Sequence, residues 1–184
     1  MMEPRDEQRI PPYEIGSGSL RADRALEGIG RMFGGYIPIL HRVLANSPAT
    51  IEAFEAMRRL LQGTRLRAAE REIVAIEVAR RNRCDYCMTA HRHLAGRLRV
   101  SAEDIVAAEA GTPPADERLA LVQSATQRLI DRHGRLSDEE LEGFRKAGLS
   151  DAELIEIVAV IGWYVMSTFT NNLAQTEIDD FFRN

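Results

Sequence analysis

The chain has 184 residues, 45% of them hydrophobic, which is enough for one sizeable core and short for two domains. With 28 acidic against 24 basic residues the net charge is -4, and the arginines are spread along helix-like stretches, which disfavours a nucleic-acid or anionic-membrane partner. The polar start MMEPRDEQRIPP has charges where a secretion signal needs an apolar stretch, and the longest apolar run, Ile157 to Phe169, is interrupted by Gly162 and Ser167. A soluble, cytoplasmic protein with no membrane partner is therefore expected.

Residues 1–19 are polar and rich in Pro, Gly and Ser, and read as an extended N-terminal arm ahead of one domain over 20–184. From there the punctuation is helical. Helices are expected near 22–33, 38–45, 48–62, 68–82, 84–98, 102–110, 115–133, 138–147 and 151–176. Ser47-Pro48 reads as an N-cap with proline at the first helical position, and Gly63 offers the stop. Ser137 with Glu140, and Ser150 with Glu153, have capping-box spacing, in which hydroxyl and carboxylate each satisfy a free backbone N–H. No run alternates as a strand between hairpin turns, so the class is all-α, a single domain of eight or nine helices. One echo, Glu72-Ile-Val-Ala75 repeated as Glu156-Ile-Val-Ala159, leaves a duplicated helical unit and coincidence both open; the positions matching the cysteines would be Thr168 and Asn171.

Both cysteines of the chain lie in Cys84-Asp-Tyr-Cys87-Met-Thr-Ala-His91. On a helix Cys84, Cys87 and His91 fall within an arc of about 60°. A bridge between them closes too small a loop to stabilise a fold, which points to a redox-active dithiol in a reducing compartment. A break at Asn82 or Arg83 would put the cysteines in or beside the first turn of a central helix, where free N–H groups favour a thiolate. His91, one turn beyond Cys87, is placed to accept its proton, and Arg80, Arg81 and Arg83 add positive potential.

Glu72, twelve residues before Cys84, completes Glu-x11-Cys-x2-Cys-x3-His, and with Arg71 and Tyr86 the chain resembles the alkylhydroperoxidase D-like (AhpD-like) branch of the carboxymuconolactone decarboxylase superfamily over roughly residues 30–176. The resemblance implies an AhpD-like helical fold and a thiol-dependent peroxidase. By that analogy Cys87 attacks a hydroperoxide substrate, Cys84 supplies a proton and then resolves the sulfenic acid into a disulfide, and His91 and Glu72 relay protons. It further implies an external dithiol reductant of lipoyl type, no organic or metal cofactor, and a homo-oligomer. Geometry alone does not deliver the glutamate: along one straight helix Glu72 would stand about 18 Å from Cys84, so a bend or a helix crossing is required. Glu77 competes by distance along the chain, but lies about 140° round the helix from Glu72.

Other readings stay open. The dithiol could serve as a redox sensor or disulfide exchanger without peroxidase turnover, or the pair could be buried and inert. A metal-binding module using Cys84, Cys87, His91 and His93 is opposed by His93, which falls about 180° from Cys84 on the wheel. His41, His93 and His133 read as surface or structural residues, and Tyr86, Trp163, Tyr164 and Phe169 as core packing. Asn171 and Asn172 fit a pocket or an interface equally well.

Overall fold

The computed structural model describes residues 8–183. Nine α-helices follow one another among them: α1 (Leu20–Met32), α2 (Ile39–Leu44), α3 (Pro48–Leu61), α4 (Ala68–Arg81), α5 (Asp85–Arg97), α6 (Ala102–Ala110), α7 (Glu117–Asp131), α8 (Asp138–Lys146) and α9 (Asp151–Ala174). There is no strand among the described residues, so the class is all-α as the sequence indicates. A 3-10 turn, Asp180–Phe182, follows α9 and lies outside the elements read from the sequence.

The caps are those the sequence spells out. The Ser47 hydroxyl accepts the Thr50 N–H with Pro48 at the first helical position. Ser137 with Glu140 and Ser150 with Glu153 form reciprocal capping boxes.

The axis of the molecule is α4. Every residue from Ile73 to Ala79 is buried, the mark of a helix surrounded by others. Its faces feed three apolar clusters: Ala79 joins the one with α1, α2, α3 and α5, Val74, Ala75 and Val78 the one with α7 and α9, and Ile73 and Ile76 the one with α5 and α6. Two carboxylates are buried on this helix and both are neutralised. Glu70 is held by Arg67 and Arg118, partners that outweigh its burial and keep its carboxyl below the usual range. Glu77 takes Arg80 and Arg81 at 2.6 and 2.7 Å and the Gln127 amide at 3.2 Å. Arg81 also reaches Asp131. The expected positive potential from Arg80 and Arg81 at the thiols is thus engaged elsewhere, and Glu77 does not compete for their pocket.

One expectation is corrected by α9. At 24 residues it is long and apolar enough to cross a membrane by length and composition. Here it lies in the core, with Leu154, Ile157, Val160 and Tyr164 buried among α4 and α7. Its opposite face stays uncovered, and Phe169, expected to pack inside, is 59% exposed. No second copy of the α4–α5 pair exists in this region: α9 runs straight through the positions where α4 breaks.

Residues 8–19 carry no helix and are laced to the body. The Arg9 N–H donates to the Ala174 carbonyl and the Tyr13 N–H to that of Arg42, while Asn46 reaches the Pro11 carbonyl.

Candidate active site

The turn between α4 and α5 builds the site. Asn82 closes α4, Arg83 takes φ +51°, and Cys84 becomes the N-cap of α5. A left-handed arginine is sterically costly, on the order of 1 kcal/mol, and α9 holds it there. The Asn82 amide donates to Thr168 Oγ1 at 2.8 Å, and the Asn172 amide donates back to the Asn82 carbonyl at 2.7 Å. Reversal at Arg83 folds α5 along α4, and the bend that the sequence demanded for Glu72 is this one. Glu72 Oε2 lies 2.7 Å from His91 Nδ1, both side chains mostly buried.

The two cysteines are not bridged to each other and sit in different settings. Cys84 Sγ occupies the cap position and accepts the Cys87 N–H at 3.4 Å. Cys87 Sγ receives the Asn171 amide at 3.2 Å and lies 3.8 Å from the Ser167 hydroxyl, which itself donates to the Tyr164 carbonyl. The thiol of Cys87 is pushed well above its ordinary range, first by its hydrogen bond with Cys84 and then by burial; Asn171 and Ser167 pull the other way and lose. Cys87 is therefore a thiol at neutral pH and needs its proton taken at the moment it reacts.

A cavity of about 230 Å³ opens on Cys87. Cys84 is not in its wall; Cys87, His91 and Glu72 are. Of the four residues singled out from the sequence, three thus share one chamber and the fourth sits behind it. The apolar wall comes from Leu40, Phe54, Leu61, Trp163, Tyr164 and Phe182. His91 stands edge-on to the Tyr164 ring, centroids 4.7 Å apart. Burial, reinforced by the Glu72 charge, holds the Tyr164 phenol well above its usual value.

Several residues take places the sequence did not assign. His41 is buried and lines the cavity, its Nε2 3.5 Å from Glu55, which also holds Arg58 at 2.8 Å. Those partners overcome burial and keep Glu55 below the ordinary carboxylate range. The chamber therefore carries a second histidine on the wall formed by α2 and α3. No spacing in the sequence relates position 41 to position 87. Tyr86, Trp163 and Tyr164 pack in the core, as expected, and also face the cavity. His93 lies against Phe181 and Phe182, turned from the thiols, and His133 is exposed on the turn after α7. No group of three or more His, Cys, Asp or Glu fit to hold a metal occurs among the described residues. Asn171 and Asn172 belong to the site, one on Cys87 and one on the turn before Cys84.

The segment after α9 closes the cavity floor. Asp179, 2% exposed, accepts the hydroxyls of Tyr36 and Tyr86 and the N–H of Ile39, which anchors Phe181 on Tyr36 and brings Phe182 to the chamber. Burial first, and the Asp179 charge second, raise the Tyr86 phenol well above its ordinary value, so it remains a donor. Asp179→Ala orphans three donors at once and is expected to cost about 3 kcal/mol or more. A urea titration should register this as a midpoint lower by about 1 M or more.

Comparison with known proteins agrees with this architecture. A model of the carboxymuconolactone decarboxylase family matches residues 48–127, the stretch that holds Glu72, Cys84, Cys87 and His91. Among curated proteins no sequence matches significantly. Among solved structures the chain is similar to an alkylhydroperoxidase AhpD core, an uncharacterized peroxidase-related protein from Ralstonia eutropha JMP134, with TM-score 0.83 and 19% identity over 98% of this chain and 96% of that one. An uncharacterized peroxidase-related protein from Silicibacter sp. TM1040 superposes with TM-score 0.78 and 17% identity over 96% of each chain. The debrominase Bmp8, in complex with 2,3,4-tribromopyrrole, does so with TM-score 0.74 and 16% identity over 96% of this chain and 95% of that one. At these identities the structures speak for the fold.

Proposed function

We propose that this chain, whose residues 48–127 match the carboxymuconolactone decarboxylase family model and whose fold is AhpD-like, is a member of that superfamily and a thiol-dependent peroxidase whose Cys87 reduces small organic hydroperoxides. The observation that carries the reading is the division of labour around one cavity: a buried thiol in its wall, a second thiol directly behind, and a hydrogen-bonded His91–Glu72 pair across the same space.

The hydroperoxide enters with its O–O bond at Cys87. As the sulfur attacks the terminal oxygen, the thiol proton leaves toward the His91–Glu72 pair, the O–O bond breaks, and the alkoxide takes a proton to depart as an alcohol. No hydrogen bond joins His91 to Cys87 among the described residues, so the substrate oxygens or a water bridge the gap. Asn171 solvates the sulfur while it is anionic. Cys87 is now a sulfenic acid. Cys84, at the N-cap of α5 directly behind Cys87, attacks the Cys87 sulfur, expels water and forms the disulfide. An external dithiol of lipoyl type then returns both thiols by exchange. Each turnover converts one hydroperoxide and one dithiol into alcohol, water and a disulfide.

Burial favours this reading over protein disulfide exchange. Cys84 and Cys87 are 2% and 1% exposed, and a bulky protein disulfide cannot reach either sulfur, whereas a slim hydroperoxide fits the cavity. The test adds one equivalent of cumene hydroperoxide to the reduced, metal-free protein and follows peroxide and free thiols together, then supplies dihydrolipoamide. The expected result is two thiols lost per peroxide, followed by repeated turnover. Thiol loss without subsequent turnover would instead identify a sensor, and unreactive thiols would remove the proposal.

A further inference from the structure

Of the two arginines in the cavity wall, one is matched by an acid and the other is not. Arg58 donates to Glu55 at 2.8 Å. Arg71, half-buried, donates from Nη1 to the Leu66 carbonyl and, at 3.4 Å, to the Thr64 hydroxyl, and among the described residues no carboxylate pairs with it. Arg80 and Arg118, half-buried like it, each hold a buried glutamate. A cation withdrawn from water ordinarily has such a partner, because desolvation without one is costly. Since both bonds of Arg71 leave from Nη1, its Nε–Nη2 edge has no partner among the described residues. That edge presents two parallel N–H groups, the geometry that grips a carboxylate.

The surroundings say where the charge of a ligand would lie. Leu66 and Thr64 tie Arg71 to the loop between α3 and α4, beside Gln62, which is exposed and follows Arg58 by four residues. This end is the mouth of the cavity, whereas Cys87, 1% exposed, lies at its depth. A carboxylate at the mouth stays partly hydrated and is spared most of the cost of burial. Between the two ends runs an apolar wall of Phe54, Trp163 and Tyr164, adjacent ring centroids 5.1 and 4.7 Å apart, fit for a ring or a short carbon chain. Glu72, the one carboxylate in the wall among the described residues, is already held by His91. The charge of Arg71 also acts inside the chamber: burial and then Glu72 raise the Tyr164 phenol, and Arg71 pulls against both.

We infer that the cavity is built for a hydroperoxide that carries a carboxylate, which pairs with Arg71 at the mouth while the O–O bond meets Cys87 at the depth. The inference rests on the reaction proposed for Cys87 and narrows its substrate. At about 230 Å³ the chamber keeps the two groups of that substrate close together.

The test compares cumene hydroperoxide with its para-carboxylate, 4-(2-hydroperoxypropan-2-yl)benzoate, and with the methyl ester of that acid, all with dihydrolipoamide as reductant. The wild type is expected to show a kcat/KM about 10- to 100-fold higher for the carboxylate than for cumene hydroperoxide, the scale of a charge-assisted pair, with the ester resembling cumene hydroperoxide. Arg71→Gln should bring the ratio to about one, and Arg71→Lys, which keeps the charge and loses the fork, should restore part of it. Both substrates are measured on one preparation, so any loss of folded protein cancels from the ratio. Failure of the reaction is read apart from failure of the subsite by calorimetric titration of the reduced protein with the two product alcohols, 4-(2-hydroxypropan-2-yl)benzoate and 2-phenyl-2-propanol. The carboxylate should bind more tightly, and Arg71→Gln should abolish the difference, even where no peroxide turns over; that outcome keeps the subsite and strikes only the reaction. A wild-type ratio near one, in turnover or, where nothing turns over, in binding, overturns the carboxylate subsite, and so does a preference that survives Arg71→Gln.

Discussion

Replacing Cys87 with serine is expected to lower hydroperoxide consumption by roughly 10³-fold or more, the scale on which loss of an attacking group registers. Serine is slightly smaller and presents a hydroxyl on the side of Ser167 and Asn171, so the fold is retained and the loss reports the sulfur itself. Cys84→Ser should behave differently. Serine is a good N-cap, and the first turn of α5 stays closed. The first peroxide is still consumed, but Cys87 stops at the sulfenic acid, which dimedone traps in the mass spectrum. A second readout follows from the cause of the raised Cys87 thiol. Its largest contribution is the hydrogen bond with Cys84, and the Cys84 charge acts in the same direction. A hydroxyl cannot ionise in this range, so Cys87 loses its proton more readily. The pH profile of its alkylation by iodoacetamide should therefore move to lower pH in Cys84→Ser. An unmoved profile together with an untrapped first turnover would reverse the roles of the two cysteines.

Glu72→Gln is expected to lower the rate of the first turnover by about 10²- to 10³-fold, within the usual range for loss of acid–base assistance. The amide preserves the size of the side chain and can still meet His91, but it holds no negative charge to stabilise a protonated imidazole. Because Cys87 begins as a thiol, removal of its proton limits the step, and the deficit should shrink in the Cys84→Ser background, where Cys87 loses its proton more readily. Stopped-flow comparison of Glu72→Gln in the two backgrounds tests this. A deficit of equal size in both would mean that Glu72 holds the cavity wall and moves no proton.

Much of this was legible in the sequence because it rests on local physics. Caps such as Ser47, Ser137 and Ser150 act within four residues, and the hydrophobic period acts within one helix, so the nine helices could be read within a few residues of their ends. The pairing of Cys84, Cys87 and His91 on one face is likewise a matter of helical pitch. What escaped had no local signature. His41 looked like a surface or structural residue because nothing near position 41 says that α2 packs against the cavity. Phe169 looked like core because an aromatic in an apolar helix usually is; only the placement of α4 and α7 reveals which face of α9 they leave uncovered. The polar side chains Thr168, Asn171 and Asn172, set in a helix stretch free of charge, were the available signal for the site. Their use became definite only with α5 laid against them.

Glu72 marks the boundary between the two kinds of information. By itself the sequence determined that the chain is all-α, that two thiols and a histidine share a helix start, and that a glutamate stands twelve residues upstream. Whether that glutamate reaches the histidine was decided by a single left-handed residue, Arg83, which α9 holds in place through Thr168 and Asn172. A straight helix separates Glu72 from the thiol end of the motif by about 18 Å, and a reversal brings its carboxylate to 2.7 Å from His91. The cost of that reversal is met by helices distant in sequence, which is why only the tertiary structure could decide it.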